Sequence, residues 1–272
     1  MPTGNAFDFL ERPPRDEKPR KRGLTVASDR GLSLADAKSV IETMGDILDH
    51  LKCPDHVGVM WRWPADWIKQ KNAYYDSVGI HTLPGGIPFE VAVVQGKVPQ
   101  FMERVAALGF KGVEVSEDSI DQLSQGERVA AIRCGIDAGL EVFTELGKKN
   151  PEKPLDPVEA VEMAHRDLDA GAILVVVEKA DVALCIKNKS DALHRMVEGV
   201  GKDKIIIECG PGADKFDIAK WLMREFGTDI NLENIGTADA PVIEAMRHGM
   251  NRAVAYSYFH QFKGVKAPPI HE

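Results

Sequence analysis

The chain has 272 residues, a formal net charge of -8 and a pI near 5.6, a balance that argues against nucleic acid or an anionic membrane as partner. With 44% hydrophobic and 28% charged residues it reads as a soluble globular protein, and no apolar run is long enough to span a bilayer. Cys53, Cys134, Cys185 and Cys209 stand far apart with no CxxC pair, which points to reduced thiols in a cytoplasmic protein and away from a zinc site.

The first 22 residues are rich in Pro, Arg and Lys and read as an irregular basic lead-in without secretory character. KPRKRG (Lys18 to Gly23) is either a solvated tail or a contact for an anion. A first strand is expected over Leu24 to Ser28, then a helix opened by Ser33 with Asp36 three residues on. A second strand is expected from Ile47 to Leu51, ending at Lys52. Next come a helix from Asp66 to Asp76, a third strand in IHTLPGG, and one long helix from Phe89 through Met102 to Leu108. GVEVSE (Gly112 to Glu117) is the fourth strand. Ser124 to Ala138 is helical, with Gly139 as its C-cap before the fifth strand from Leu140. Helices over Pro157 to Ala170, Ser190 to Val200, Phe216 to Phe226 and from Pro241 alternate with AILVVVEK, KIIIECG and DINLEN.

Gly closes most of these helices just before the next apolar run, which is the rhythm of βα units. Near-continuous apolar strands such as Ile205-Ile206-Ile207 suit a parallel sheet buried on both faces. Eight such units predict one (β/α)8 TIM barrel over residues 23–260, followed by a tail over 261–272. A doubly wound open sheet is the alternative, and it lacks a GxGxxG after the first strand.

Sites of such barrels form at the carboxyl ends of the strands. That expectation gathers Asp29, Lys52, Glu90, Glu114, Glu145, Lys148, Lys149, Glu178, Glu208, Asn231 and Asn234 at one mouth. Carboxylates this close repel one another unless lysines or a cation stand between them. Hard oxygen ligands without a His or Cys cluster favour Mg²⁺ over Zn²⁺. Gly210-Pro211-Gly212 after the seventh strand and Gly85-Gly86 after the third are either tight turns or backbone cradles for a phosphate. His50, His56 and His81 read as structural, with His81 facing either lumen or helices. Trp61, Trp63 and Trp67 read as helix packing or a subunit interface.

Several blocks, in this order, resemble the phosphosulfolactate synthase family: KPRKRGLTVASDRG, LPGGIPFEVAVVQGK, LGFKGVEVSE, FTELGKKN, Glu178, IIIEC, INLENI and MRHGM. The resemblance covers most of the chain. It implies a (β/α)8 barrel, an oligomer, and Mg²⁺-dependent addition of sulfite to phosphoenolpyruvate, giving 2-phospho-3-sulfolactate on the way to coenzyme M. Under it, Glu145 and Glu178 are the first expected metal ligands, then Glu114, Glu208 and Asp29. Lys148 or Lys149 supplies a proton, with Lys52 also catalytic. Arg20, Arg22, Gly85, Gly86, Gly210, Gly212, Asn231 and Asn234 contact the anionic substrates. The family pattern has an Arg-Glu-Ser-Gly run after the sixth-strand Glu, where this chain has Lys179-Ala180-Asp181-Val182, and a Thr where it has Ile87.

Three other readings stand beside this one. The same barrel could use another nucleophile or enol acid. Lys148 or Lys149 could act as a Schiff-base nucleophile. The chain could also be a non-catalytic, stress-associated member of the family.

Overall fold

The computed structural model describes residues 6–53 and 62–264. His56, Trp61 and the end of the tail lie outside the described residues. Eight parallel strands alternate with helices: β1 (Thr25–Ser28), β2 (His50–Lys52), β3 (His81–Leu83), β4 (Gly112–Val115), β5 (Glu141–Leu146), β6 (Leu174–Val177), β7 (Ile205–Glu208) and β8 (Asn231–Gly236). They form a (β/α)8 barrel in the order β3-β2-β1-β8-β7-β6-β5-β4. At the seam between β3 and β4, the Lys111 N–H donates to the Thr82 carbonyl at 3.0 Å.

The helices are α1 (Leu34–Met44), α2 (Ala65–Ser77), α3 (Gly86–Val94), α4 (Val98–Ala107), α5 (Gln125–Asp137), α6 (Pro157–Ala170), α7 (Lys179–Asn188), α8 (Ala192–Val200), α9 (Lys215–Phe226) and α10 (Ala240–Arg247). Their starts follow from local chemistry. Ser124 and Glu127 close a reciprocal capping box on α5, and Asp156 accepts from the Val158 and Glu159 N–H groups ahead of Pro157 in α6. The expected long helix from Phe89 to Leu108 is two, α3 and α4. Gly96 lies between them at φ +64°, a conformation that helix interiors do not contain. The second strand is later than expected, at His50–Lys52, because residues 45–49 are used to turn out of α1. Lys179 to Val182 form the first turn of α7, with Glu178 as N-cap accepting from the Ala180 N–H.

Strand parity decides which way each side chain points. One parity set packs against the helices and includes Ala27, Leu51, Val113, Val142, Val175, Ile207 and Leu232. The other turns inward, where Leu24, Val26, Leu83, Phe143, Leu174, Val176 and Ile206 form a separate apolar plug. Burying each such Val, Ile or Leu is worth about 1.5–3 kcal/mol. The inward set then changes character at the carboxyl ends of the strands, where Lys52, Glu114, Glu145 and Glu208 occupy the inward parity.

Candidate active site at the barrel mouth

The Lys52 ammonium sits at the centre of that charged layer. It lies 2.8 Å from Glu114 Oε2, 3.2 Å from Glu233 Oε1 and 3.4 Å from Glu208 Oε1, and all four residues are buried. Burial works against the ammonium, but the charges of Glu114, Glu233, Glu208 and Glu145 outweigh it and hold its pKa well above the ordinary lysine value. The acids respond in the opposite sense. Burial, with Glu114 and Glu208 nearby, holds Glu145 well above the usual carboxylate range. Burial likewise holds Glu208 up despite Lys52.

Glu233 was not among the expected site residues. It reaches the lumen by ordinary alternation after outward Leu232, level with Glu208 on β7. β8 then bulges: the register runs Thr25 to Leu232 and then Ala27 to Ile235, so Asn234 joins Glu233 on the inward side opposite Val26. Asn234 adopts φ +57°. Such a bulge re-aims side chains. Here both point inward, Glu233 to Lys52 and the Asn234 amide N–H to Glu208 Oε1, while Ser28 Oγ donates to Asn234 Oδ1 at 3.3 Å. The only signal in the sequence was an acid inside the apolar run Ile230 to Ile235.

A second group stands on the β4–β5–β6 side. Asp118, Glu145 and Glu178 are buried and offer one oxygen each within 4.8 Å of the others. Glu145 Oε1 is buried without a hydrogen-bond partner. The Lys149 ammonium bridges two members of the trio, at 2.5 Å from Asp118 Oδ2 and 3.1 Å from Glu178 Oε2. Although burial opposes it, Glu145, Glu178 and Asp118 raise the Lys149 pKa. Three convergent oxygens, one of them unsatisfied, suit a hard divalent cation such as Mg²⁺. Asp118 was missed because nothing in Ser116-Glu117-Asp118 separates it from Glu117, which instead faces Arg128 Nη1 at 3.3 Å.

The mouth opens into a cavity of about 480 Å³ lined by the second group and by Lys52, Glu114 and Glu208 of the first, together with Gly85, Gly86, Lys179, Gly210 and Asn234. The glycines matter by what they lack. A Cβ on Gly86 would stand 2.1 Å from Ser116 Oγ, and one on Gly210 would stand 2.3 Å from the Asn234 carbonyl oxygen. Gly85 is the N-cap of α3, no side chain caps that helix, and Gly85, Gly86 and Ile87 at its start line the cavity. Lys179 Nζ is held to the Pro211 carbonyl at 2.5 Å and to Asp214 at 2.7 Å.

Supporting contacts hold this layer in place. Arg128 forks onto Asp167, with Nη2 2.7 Å from Oδ2, and also donates to the Glu145 carbonyl at 3.0 Å. Glu90 is behind the mouth. It accepts from Ser116 Oγ at 2.6 Å and from the Asp118 and Ser119 N–H groups, fixing the loop that carries Asp118.

Other expected site residues lie elsewhere. Asp29 does not face the lumen. Its carboxylate takes the Tyr75 hydroxyl at 2.7 Å, Lys71 Nζ at 2.5 Å and the Gly31 and Leu32 N–H groups, so it fastens α2 to the end of β1. Lys71 also lies over the Trp67 and Trp63 rings, which accounts for those tryptophans as packing. Asn231 is at the start of β8, at the floor rather than the mouth. It accepts from the Leu24 N–H and donates to the Ile205 carbonyl, both at 2.9 Å. Arg20 and Arg22 are also at the floor. Arg20 pairs with Asp49 at 3.0 Å and donates to the Asp46 carbonyl, while Arg22 pairs with Asp16 at 3.0 Å. They reach the wrong end because the lead-in enters the barrel at the amino end of β1. Lys148 points away from the cavity, donating to the Glu117 and Ile120 carbonyls, with its N–H on Asp181. Gly212 stands just outside the cavity at φ +137°, beside Lys179.

Residues 13–252 match the family described as (2R)-phospho-3-sulfolactate synthase (ComA). The phosphosulfolactate synthase of Methanocaldococcus jannaschii is 33% identical over 258 residues, covering 90% of this chain and 96% of the relative. That of Methanothermobacter thermautotrophicus is 31% identical over 255 residues, covering 90% and 96%. Among solved structures, the dihydrodipicolinate synthase of Agrobacterium tumefaciens superposes with a TM-score of 0.54 at 13% identity, covering 89% of this chain and 84% of that one, a likeness of fold alone.

Proposed function

Because the chain belongs to the (2R)-phospho-3-sulfolactate synthase family, we propose that it is a carbon–sulfur lyase adding sulfite to phosphoenolpyruvate with Mg²⁺ as cofactor. The observation that carries this reading is a mouth of buried acids, with Asp118, Glu145 and Glu178 converging, facing a cavity that must admit anions. Such a mouth rejects dianions unless positive charge is added. Asp118, Glu145 and Glu178 would hold Mg²⁺, which supplies charge against the negative charge developing on the substrate carboxylate.

Sulfite needs no base, because its sulfur lone pair is already nucleophilic. Attack at the methylene carbon forms the C–S bond and moves the C=C electrons toward the neighbouring carbon and its carboxylate. A proton must then reach the carbon bearing phosphate. Lys149 is the donor in this reading: it lines the cavity, is held protonated, and rests on Asp118 and Glu178. Lys52 stays deeper and fixes Glu114, Glu208 and Glu233 around one centre. The α3 N-terminus at Gly85-Gly86 and the Lys179 ammonium beside Gly210 supply the anion contacts. Lys179 thus stands where the family pattern has Arg. A Schiff-base role for the mouth lysines is disfavoured, since a nucleophilic amine must be neutral and both Lys52 and Lys149 are held charged.

The same reading makes the protein a cytoplasmic enzyme of sulfonate biosynthesis, of the coenzyme M type, acting as a homo-oligomer. Among the described residues no helix is long and apolar enough to cross a membrane. Exposed Phe7, Phe9 and Phe259 supply apolar surface for self-association, and Tyr258 ties the two terminal segments together through the Glu11 carbonyl at 2.9 Å.

The test is incubation with phosphoenolpyruvate and sulfite, with Mg²⁺ or with EDTA, read by mass spectrometry. A sulfonate adduct that forms only with Mg²⁺ and is lost in Glu145→Gln is expected. An unchanged adduct in EDTA would remove the metal from the reading, and no adduct under any condition would remove the reaction.

A further inference from the structure

The floor of the barrel carries a cluster that the mouth chemistry does not use. His50 opens β2, His81 opens β3 and Glu141 opens β5. His50 and His81 are partners in register, as are Glu141 and Gly112. All three share parity with lumen residues further along their own strands (Lys52, Leu83 and Phe143), so they converge beneath the apolar plug. His81 Nδ1 is 3.0 Å from Glu141 Oε2, and His50 Nε2 is 3.7 Å from the same oxygen. One ligand atom from each residue lies within 4.8 Å of the other two.

The surroundings are built to leave these three groups facing one another. Between β3 and β5, β4 contributes only Gly112 at this level, where a Cβ would come within 3.3 Å of the Glu141 carbonyl and the Phe143 ring. Phe143 packs edge-on against the His50 ring with centroids 5.4 Å apart, and the two imidazoles cross at 83°. His50 Nδ1 is buried without a hydrogen-bond partner. Below the cluster opens a cleft of about 370 Å³, walled in part by the lead-in. Of the cations that line it, Lys18 is held by the Gly45 and Leu48 carbonyls and Arg20 by Asp49.

Two imidazoles and one carboxylate form a donor set for a borderline divalent ion, with the fourth position left to water. Ligands at about 2.0–2.1 Å around a tetrahedral centre stand about 3.4 Å apart. The two histidine–carboxylate separations of 3.0 and 3.7 Å bracket that value, and the two histidine nitrogens lie within 4.8 Å of each other. We propose that His50, His81 and Glu141 bind a Zn²⁺-class ion at the floor of the barrel, clamping β2 and β3 to β5 across the β3–β4 seam. The site lies at the opposite end of the strands from the mouth and does not depend on the reaction proposed there.

The experiment uses the full chain, stripped of metal, held in excess Mg²⁺ and titrated with Co²⁺. Visible absorption and melting temperature are recorded, and Zn²⁺ is then added. One equivalent of Co²⁺ is expected to give the intense bands of a four-coordinate ion with nitrogen ligands, to raise the melting temperature, and to be displaced by Zn²⁺. His81→Ala and His50→Ala should lose the bands. Glu141→Gln, which keeps a hydrogen-bonding oxygen beside His81 and guards against misfolding in the histidine variants, should weaken binding by about tenfold or more. Glu145→Gln should leave the bands intact. The proposal falls if the wild-type chain gives no such bands. It also falls if they survive His81→Ala, or disappear in Glu145→Gln or on blocking the cysteines.

Discussion

Lys52 on β2 and Glu233 on β8 meet across the lumen, the ammonium 3.2 Å from a carboxylate with no exposure to solvent. The contact links the second strand to the last at the level where Glu114 and Glu208 also converge. It makes the mouth a single electrostatic unit rather than a row of independent acids.

Lys52→Met leaves those acids buried without their shared counter-charge. A loss of about 3–5 kcal/mol at pH 7 is expected, as for one partner removed from a buried pair. Burial, with Glu114 adding its charge, raises the Glu233 pKa to about 7 even beside Lys52. The loss should therefore shrink toward pH 5, where the acids take up protons. Denaturant unfolding at both pH values measures it, and a pH-independent loss would contradict the shared-charge account.

Mg²⁺ binding should be coupled to proton release. Burial, then Glu114 and Glu208, holds Glu145 well above its ordinary range, so the metal-free site keeps a proton that a cation must expel. Affinity should rise with pH, over a range above that of an ordinary carboxylate. Calorimetry in two buffers of different ionisation enthalpy should give different apparent heats; identical heats would show that no proton leaves.

The two adjacent lysines should behave differently. Lys149→Met removes the proposed proton donor, with an expected fall in kcat of about 10²–10⁴-fold. Lys148→Met removes an amine that docks onto the Glu117 and Ile120 carbonyls, so it should lower stability more than turnover. Steady-state kinetics beside thermal melts separate the two, and a larger kcat defect in Lys148→Met would reverse the assignment.

Away from the site, Glu244 pairs with Arg15 at 3.0 Å and His248 at 3.1 Å. Burial opposes these contacts, but they depress its pKa from 4.5 to about 2. A depressed carboxylate adds stability that is complete above pH 4.5 and is lost as pH falls toward 2. Glu244→Gln should cost about 1–3 kcal/mol at pH 7, after allowance for partial exposure, and almost nothing near pH 2. Equal losses at both ends of the range would refute the linkage.

Asn231→Ala tests the division between floor and mouth. Asn231 satisfies the Leu24 N–H and the Ile205 carbonyl at the floor, so its loss should cost about 1–3 kcal/mol of stability. KM for either substrate should not change; a raised KM would return Asn231 to the binding site.

The barrel was legible because its signals are local. Helix caps such as Ser124 and Asp156, and apolar runs such as Ile205 to Ile207, act within a few residues of chain. The acids at the ends of β4 to β7 were legible for the same reason, since each ends a recognisable apolar run. The order of motifs from LPGGIPFE to INLENI likewise carried the family.

Tertiary structure decided which of those charged residues face one another. Asn234 joins Glu233 in the lumen through a bulge visible only in the pairing of β8 with β1. Asp29, one residue beyond β1, turns outward to Lys71 and Tyr75. Asn231 and Asn234, three residues apart, end at opposite ends of one strand, and Arg20 falls at the floor because the chain enters the barrel there. Sequence alone set where strands end and which residues carry charge. The direction of each side chain depends on parity, and parity changes with a single bulged residue whose position is fixed by the neighbouring strand.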